Sequence, residues 1–244
     1  MIDTSAVLAR MRPIIGEIKS AASPVRPHAT EQVRALPFIT ISRQAGAGGW
    51  SLAQRLVEHL CEVDPGEPAW TCWDRELVER VAADAQISAA IVENLDRKPS
   101  NWLTELFEGL AAGELARQPS ELKVYRQVAA TIKAIARVGR AVIVGRGAVF
   151  VTRGMPGGVH IRLVAPLESR VRHMARIKSL GESEAMAAVH ETDEARDDFY
   201  KRFFPNESLG PETFTLTINT AQVSEDQMVK CILPLIRPVR RVAP

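Results

Sequence analysis

The sequence predicts an α/β fold, a five-stranded parallel sheet with helices on both faces, and three observations predict it. Short runs rich in apolar and β-branched residues recur at 38–42, 69–73, 141–144, 160–165 and 213–219, with patterns of helical period between them. A loop holding Gly46, Gly48 and Gly49 joins the first run to the helix that follows it. Polar residues stand directly after the early strands: Ser42 and Arg43, Asp74, and Arg146. Ligands of parallel sheets sit at the carboxyl ends of the strands, so these residues mark one place in the fold.

Taken in order, residues 3–20 form a helix behind Ser5 as N-cap, with Val7, Leu8, Met11, Ile14, Ile15 and Ile18 as its apolar stripe. Residues 21–37 hold Pro24, Pro27 and Pro37 and read as a linker. The chain thus divides into an extension, 1–36, and a main domain, 37–244. The extension is expected to dock on that domain or to form a homodimer with another copy, since its stripe is costly to leave in water. The first strand, 38–42, is β-branched and follows a proline. After the loop, apolar residues at 52, 53, 56, 57 and 60 place a one-faced helix over 51–60. Pro65, Gly66 and Pro68 make a connector to the short second strand, and a helix runs from Glu76 to about Ala85.

Residues 86–138 are mostly helical by pattern, ending in a stripe of Leu122, Tyr125, Val128, Ala129, Ile132, Ile135 and Ala136 with Gly139 as C-cap. The run 141–144 is wholly apolar, as in a strand covered on both faces. The fourth strand is closed by Pro166, and arginine-rich helices follow at 167–178 and 182–200. Ser224 caps a last helix, 225–236, before a loose tail.

Bulk properties exclude several classes. The 244 residues are 46% hydrophobic and 25% charged, the profile of a soluble globular protein. A net charge of +2 demands no nucleic-acid surface. No run approaches the roughly 20 apolar residues that span a membrane, and no signal-peptide core is present. Cys61, Cys72 and Cys231 lack metal-type spacing and read as buried thiols in a reducing cytoplasm.

Strand, glycine loop and helix together form an anion site, because glycines let several N–H groups turn toward a phosphate and the helix start adds partial positive charge. The same pattern also serves as a plain β-turn-α connection. Phosphate loops carry a lysine a short way ahead of a Ser/Thr. With Ser51 in the Ser/Thr position, the residue two before it, Gly49, stands where the lysine should be. Arg43 and Gln44, at the start of the loop, bring a guanidinium to the phosphates from another side.

Four stretches then identify a family resemblance. Residues 39–49 (ITISRQAGAGG), 73–77 (WDREL), 142–148 (VIVGRGA) and 192–196 (TDEAR) together resemble the cytidylate kinase-like family, a branch of the P-loop nucleoside monophosphate kinases. The resemblance covers about residues 38–235. It implies a three-layer P-loop kinase fold with a helical acceptor-binding insert and a mobile lid. It implies transfer of the γ-phosphoryl group of ATP, with Mg2+, to a nucleoside monophosphate such as CMP. Orthodox cytidylate kinases carry a lysine where this chain has Gly49, and Gly-Arg-Asp where this chain has Gly145, Arg146 and Gly147. Two alternatives stay open: a nucleotide-binding regulatory module without transfer, and a P-loop kinase with another small-molecule acceptor.

On this reading the donor phosphates lie along Ser42, Gln44, Gly46, Ala47, Gly48, Gly49, Trp50 and Ser51, and the Ser51 hydroxyl reaches magnesium; otherwise Ser51 is a helix N-cap. Arg43 replaces the lysine, or is a surface arginine paired with a carboxylate. Asp74 holds a metal-bound water or orients the acceptor, or merely caps a helix. Arg146, between two glycines at the end of a buried strand, needs a negative partner, and an acceptor phosphate is the natural one. Among Arg170, Arg172, Arg176, Lys178, Asp193 and Arg196 of the lid helices, Arg170 and Arg196 are the catalytic candidates. Asp193 and Arg196 share a helix face toward the acceptor; the other reading is a solvated charged helix. Trp70, Trp73 and Trp102 either line a base pocket or belong to the core.

Overall fold

The computed structural model describes residues 35–66, 68–83 and 119–236. Residues 1–34 of the predicted extension, residues 84–118 with Trp102, and the tail from residue 237 lie outside the described residues. Five strands form one parallel sheet: β1 (Phe38–Arg43), β2 (Thr71–Trp73), β3 (Ala141–Val144), β4 (Gly158–Val164) and β5 (Leu216–Asn219). Their order across the sheet is β2-β3-β1-β4-β5, so β1 is central, with Ile39 opposite both Val142 and Val159. The described helices are α1 (Gly49–Val63), α2 (Arg75–Ala83), α3 (Pro119–Val138), α4 (Ala148–Val151), α5 (Leu167–Lys178), α6 (Glu182–Phe203) and α7 (Glu225–Ile232).

Alternation along the strands divides the core. Ile39, Ile41, Val142, Val144, Ile161 and Leu163 face Leu52, Leu56 and Leu60 of α1 and Met228, Val229 and Ile232 of α7. Phe38, Ala141 and Ile143 face α3 and α4, and Phe203 and Phe204 at the end of α6 join that cluster. Both faces are thus apolar, as a parallel sheet between two helical layers requires. Each such side chain, fully buried, adds roughly 1.5–3 kcal/mol of transfer free energy. The α5–α6 hairpin has its own small core of Ala45, Val171, Met174, Ala185 and Val189, which seats it on the loop after β1.

Several boundaries differ from the sequence reading for local reasons. The first helix starts at Gly49, because Gly48 takes the left-handed cap (φ 76°). Residues 69–70 and 213–215 precede their strands: Pro211–Thr213 is a short 3-10 turn. Helix α7 ends at Ile232 and tightens into a 3-10 turn, Leu233–Leu235, around Pro234. Gly139 does end α3, with φ 79°. The cysteines are not buried thiols: Cys61 and Cys231 are exposed on outer helix faces and Cys72 is half-buried. Trp70 and Trp73 belong to the core.

On the α3 side of the sheet, Thr40 Oγ1 bonds His160 Nδ1 at 2.8 Å. Burial, with Arg153 nearby, pushes the His160 imidazole down to about 4. An unfolded imidazole titrates near 6.5, so between about pH 6.5 and 4 the unfolded chain binds a proton that the folded chain refuses. Stability therefore falls as pH falls through that window, by about 1–3 kcal/mol from this group. Urea denaturation at pH 7.5 and 4.5 checks this: His160→Gln should lose a smaller share of its stability on acidification than the unmodified protein.

Candidate functional site

The loop after β1 is shaped by hydrogen bonds that leave its donors unspent. Gln44 N–H donates to the Leu163 carbonyl (3.1 Å) and Ala47 N–H to the Gln44 carbonyl (3.2 Å). Gly46 and Gly48 are left-handed, with φ of 74° and 76°. The N–H groups of Gly46, Gly48, Gly49, Trp50 and Ser51 have no acceptor among the described residues. They lie along the loop and first turn of a 15-residue helix, a set of donors suited to an anion. Ser51 is inside the helix rather than its N-cap, and its hydroxyl donates to the Gly48 carbonyl at 3.1 Å, leaving the oxygen lone pairs free. Trp50 exposes its indole (46%) beside these donors. Ser42 and Ala47 are buried, and the Gln44 side-chain oxygen accepts from Ala165 N–H (2.9 Å).

Arg43 crosses this loop. A Cβ on Gly49 would sit 2.9 Å from Arg43 Cγ and 3.1 Å from Cδ, and one on Gly145 would strike its guanidinium. The arginine stem therefore occupies the space beside residue 49, and its head reaches the turn after β3. Arg43 is half-buried and is paired with no carboxylate among the described residues. Burial first, then the neighbouring Arg196, Arg162 and Arg146 cations, lowers it to about 10, so it stays charged at neutral pH.

The turn after β3 holds three successive left-handed residues, Gly145 (φ 85°), Arg146 (φ 53°) and Gly147 (φ 65°). The conformation costs a non-glycine residue about 1–3 kcal/mol and persists only where the surroundings impose it. Here the Tyr125 hydroxyl donates to the Arg146 carbonyl (3.0 Å), the guanidinium lies 5.4 Å from the Phe199 ring centre, and Glu79 of α2 forms an ion pair with it. The Arg146 Nε is buried without a partner among the described residues, and burial, with Arg75 nearby, lowers the group to about 10. Burial keeps Tyr125 protonated as a donor. Beside Arg146 opens a cavity of about 280 Å³ whose lining includes Glu79, Val124, Tyr125, Val128, Phe199 and Phe203.

The α5–α6 hairpin meets the loop from the other side. Arg196 donates to the Arg43 carbonyl at 3.0 Å, with Asp193 3.8 Å away. Arg170, 8% exposed, forms a 2.5 Å ion pair with Asp193. Farther along α5 the charges are solvated: Arg172 contacts Glu168 and Ser169, Arg176 contacts His173, and Lys178 is exposed. Asp74 caps α2 through Oδ1, which accepts from Leu77 N–H (2.8 Å).

The structure thus brings together the loop donors, Arg43, Arg146 and Arg196 at the carboxyl ends of β1 and β3. Glu79, Tyr125, Phe199 and Phe203 were not singled out in the sequence as site residues, and neither was Arg162. The Phe199–Phe203 spacing on α6 was the one available signal, and Tyr125 was concealed within an apolar stripe. Arg162 sits in β4 opposite Ser42, its guanidinium 5.9 Å from the Phe214 ring centre.

The sheet, glycine loop and hairpin define a P-loop kinase fold. The sequence model of the cytidylate kinase-like family matches residues 38–222, and this chain belongs to that family. An uncharacterized protein from Eubacterium ventriosum ATCC 27560 is similar in structure, with TM-score 0.61 and 20% identity over 82% of this chain and 97% of that one. It shares the fold. Shikimate kinases from Bacteroides thetaiotaomicron (TM-score 0.41, 15% identity, 82% and 97% covered) and Acinetobacter baumannii (0.40, 17%, 83% and 94%) align more loosely, too loosely to say more. No curated protein matches the chain. No helix among the described residues is long and apolar enough to cross a membrane. Family membership makes this a kinase-like protein for which nucleotide binding is implied.

The contact between Arg43 and Gly49 is testable by coupling. Gly49→Ala should destabilise by about 1–2 kcal/mol through overpacking against the Arg43 stem, offset in part by the gain in helix propensity. In the Arg43→Ala background that overpacking is gone, and the same substitution should be neutral or stabilising. A double-mutant cycle by chemical denaturation reads the difference.

Proposed function

We propose that this protein transfers the γ-phosphoryl group of ATP to a nucleoside monophosphate, a CMP-like acceptor, with magnesium. The observation that carries this reading is the place of Arg43 and Arg146. Arg43, at the end of β1, runs beside the loop at Gly49 to the turn after the neighbouring β3, and Arg146 in that turn lines the aromatic-walled cavity. Phosphoryl transfer asks a protein for positioning and for positive charge around the group in flight, and little else.

In this reading the N–H groups from Gly46 to Ser51 take the donor phosphates. Arg43, whose stem fills the space beside Gly49, supplies the charge that a lysine supplies elsewhere. The Ser51 oxygen is the side-chain ligand that fits Mg2+. Mg2+ at such a site is held mainly by phosphate oxygens and water. When bound, that ion neutralises charge developing on the phosphates. Arg146 faces the acceptor phosphate from the floor of the cavity, with Arg196 beside Arg43. Asp74, at the end of β2, keeps one carboxylate oxygen beyond its capping bond for a role toward the acceptor.

The cavity suits a nucleoside acceptor. Its size lies near the lower end of small-molecule pockets, about 300–1,000 Å³, and its walls are chiefly Val124, Val128, Phe199 and Phe203. A flat base gains from aromatic faces, and Glu79, Ser120, Glu121 and Arg146 in the same lining offer partners to a ribose and its phosphate. The ion pair between Arg146 and Glu79 favours the second reading, a nucleotide-binding module without transfer, because it occupies the charge that an acceptor phosphate would need.

Transfer from labelled ATP to a panel of nucleoside monophosphates separates these readings. Arg146→Ala should weaken acceptor binding by about 100-fold while ATP affinity stays within about twofold, and Arg43→Ala should weaken ATP binding by about tenfold or more. Equal loss of both affinities in Arg146→Ala would remove its assignment. ATP binding by calorimetry without transfer to any acceptor would select the module, and transfer to a non-nucleotide acceptor alone would redirect the substrate.

A further inference from the structure

Arg170 and Asp193 are buried or half-buried charges whose hydrogen bonds join them to each other, to both backbone groups of one loop residue, Ala45, and to the Ala165 carbonyl. Asp193 Oδ1 accepts from Ala45 N–H at 2.7 Å. Arg170 Nη1 donates to the Ala45 carbonyl at 3.1 Å and to Asp193 Oδ2 at 2.5 Å, while its Nε donates to the Ala165 carbonyl at 3.1 Å. The start of α5 also lies against the loop backbone, since a Cβ on Gly46 would collide with the Arg170 carbonyl. A guanidinium so committed, and only 10% exposed in its side chain, is poorly placed to reach a phosphate.

The peptide geometry shows what these bonds do. The Ala45 carbonyl and the Gly46 N–H belong to one planar peptide unit and point in opposite directions. Holding that carbonyl on Arg170 therefore turns the Gly46 N–H away from the hairpin, among the unpaired donors of the loop. Asp193 fixes the preceding peptide in the same way, drawing Ala45 N–H out of the cradle and leaving the Gln44 carbonyl to accept from Ala47 N–H. Glycine at 46 would otherwise let this peptide turn over at little cost, because both signs of φ are open to it. An ion pair of this kind is a weak source of stability, but it serves well to select one backbone conformation.

We propose that Arg170 and Asp193 are positioning residues: they orient the Ala45–Gly46 peptide and so set the loop's affinity for a polyphosphate, without touching the nucleotide. The proposal rests on the reading of this loop as the donor-phosphate site. It replaces direct roles for Arg170 in catalysis and for Asp193 on the acceptor with action through the Ala45 backbone.

The test uses the full chain with two readouts: amide exchange of the segment 44–51, and calorimetric binding of inorganic tripolyphosphate and of ATP. Asp193→Ala and Arg170→Met should raise exchange in 44–51 and weaken both ligands by at least about tenfold each, since charge-assisted bonds are lost. Exchange in 120–128, at the cavity, should not change. Asp193→Asn, which keeps an oxygen for Ala45 N–H, should show a smaller change of the same sign in every readout. Should either truncation fail to fold, Asp193→Asn decides, and loop exchange equal to that of the unmodified protein overturns the proposal. Loss of ATP binding with tripolyphosphate affinity and loop exchange unchanged would also overturn it, by showing contact with the nucleoside. If the unmodified protein binds neither probe, the kinase reading falls; the clamp is then judged on exchange alone, and unchanged exchange in the variants overturns it.

Discussion

A half-buried guanidinium with no carboxylate partner among the described residues is the constraint around which the strand ends are arranged. Removing a cation from water costs several kcal/mol unless something negative answers it. Arg43 sits in that condition, with Arg162 and Arg196 nearby adding to the positive field rather than relieving it. The surroundings conform to it: residue 49 and residue 145 have no side chain, and each absence makes room for one part of the arginine. Placing this group at the end of the central strand puts it in reach of both the loop before α1 and the turn after β3. The donor side and the cavity side of the site are thereby joined through one residue.

Much of the fold was legible because the sheet is buried on both faces. Ala141–Val144 and Phe38–Arg43 read as strands since nothing but apolar and β-branched side chains fits between two helical layers, and those runs are unmistakable in a sequence. Boundaries were harder, because they rest on single backbone choices. The start of α1 depends on Gly48 adopting a left-handed φ, and the end of α7 on Pro234 tightening the chain; neither leaves a periodic signature. Cys61 and Cys231 were misplaced for a related reason. A cysteine's apolar character says that it tolerates burial, but helix phase decides, and both fall on outer faces.

The site was legible where it is local and obscure where it is assembled. The loop donors and Arg146 follow from glycines close in sequence. Glu79, Tyr125 and Phe199 come from three helices and meet only in the folded chain. Tyr125 illustrates the difficulty: its ring belongs to an aromatic core with Phe199, Phe203 and Phe204, and only its hydroxyl, bonded to the Arg146 carbonyl, belongs to the site. Asp74 shows the converse. It stood where a functional acid was expected, and one of its oxygens is used to begin a helix.

The strand order has a meaning in time as well as in space. β1 lies between β3 and β4, and β2 pairs with β3, so no two of the first-made strands are neighbours. Until Ala141–Val144 leaves the ribosome, about a hundred residues after Arg43, the central strand has no partner for its backbone. At translation rates of about 5–20 residues per second, that wait lasts roughly 5–20 seconds. During it, an apolar ribbon and a flexible glycine segment are exposed together on the nascent chain. β3 is therefore the strand whose arrival turns a collection of helices and open edges into a sheet, and its register against Phe38–Arg43 is the first long-range pairing that the newly made protein must find.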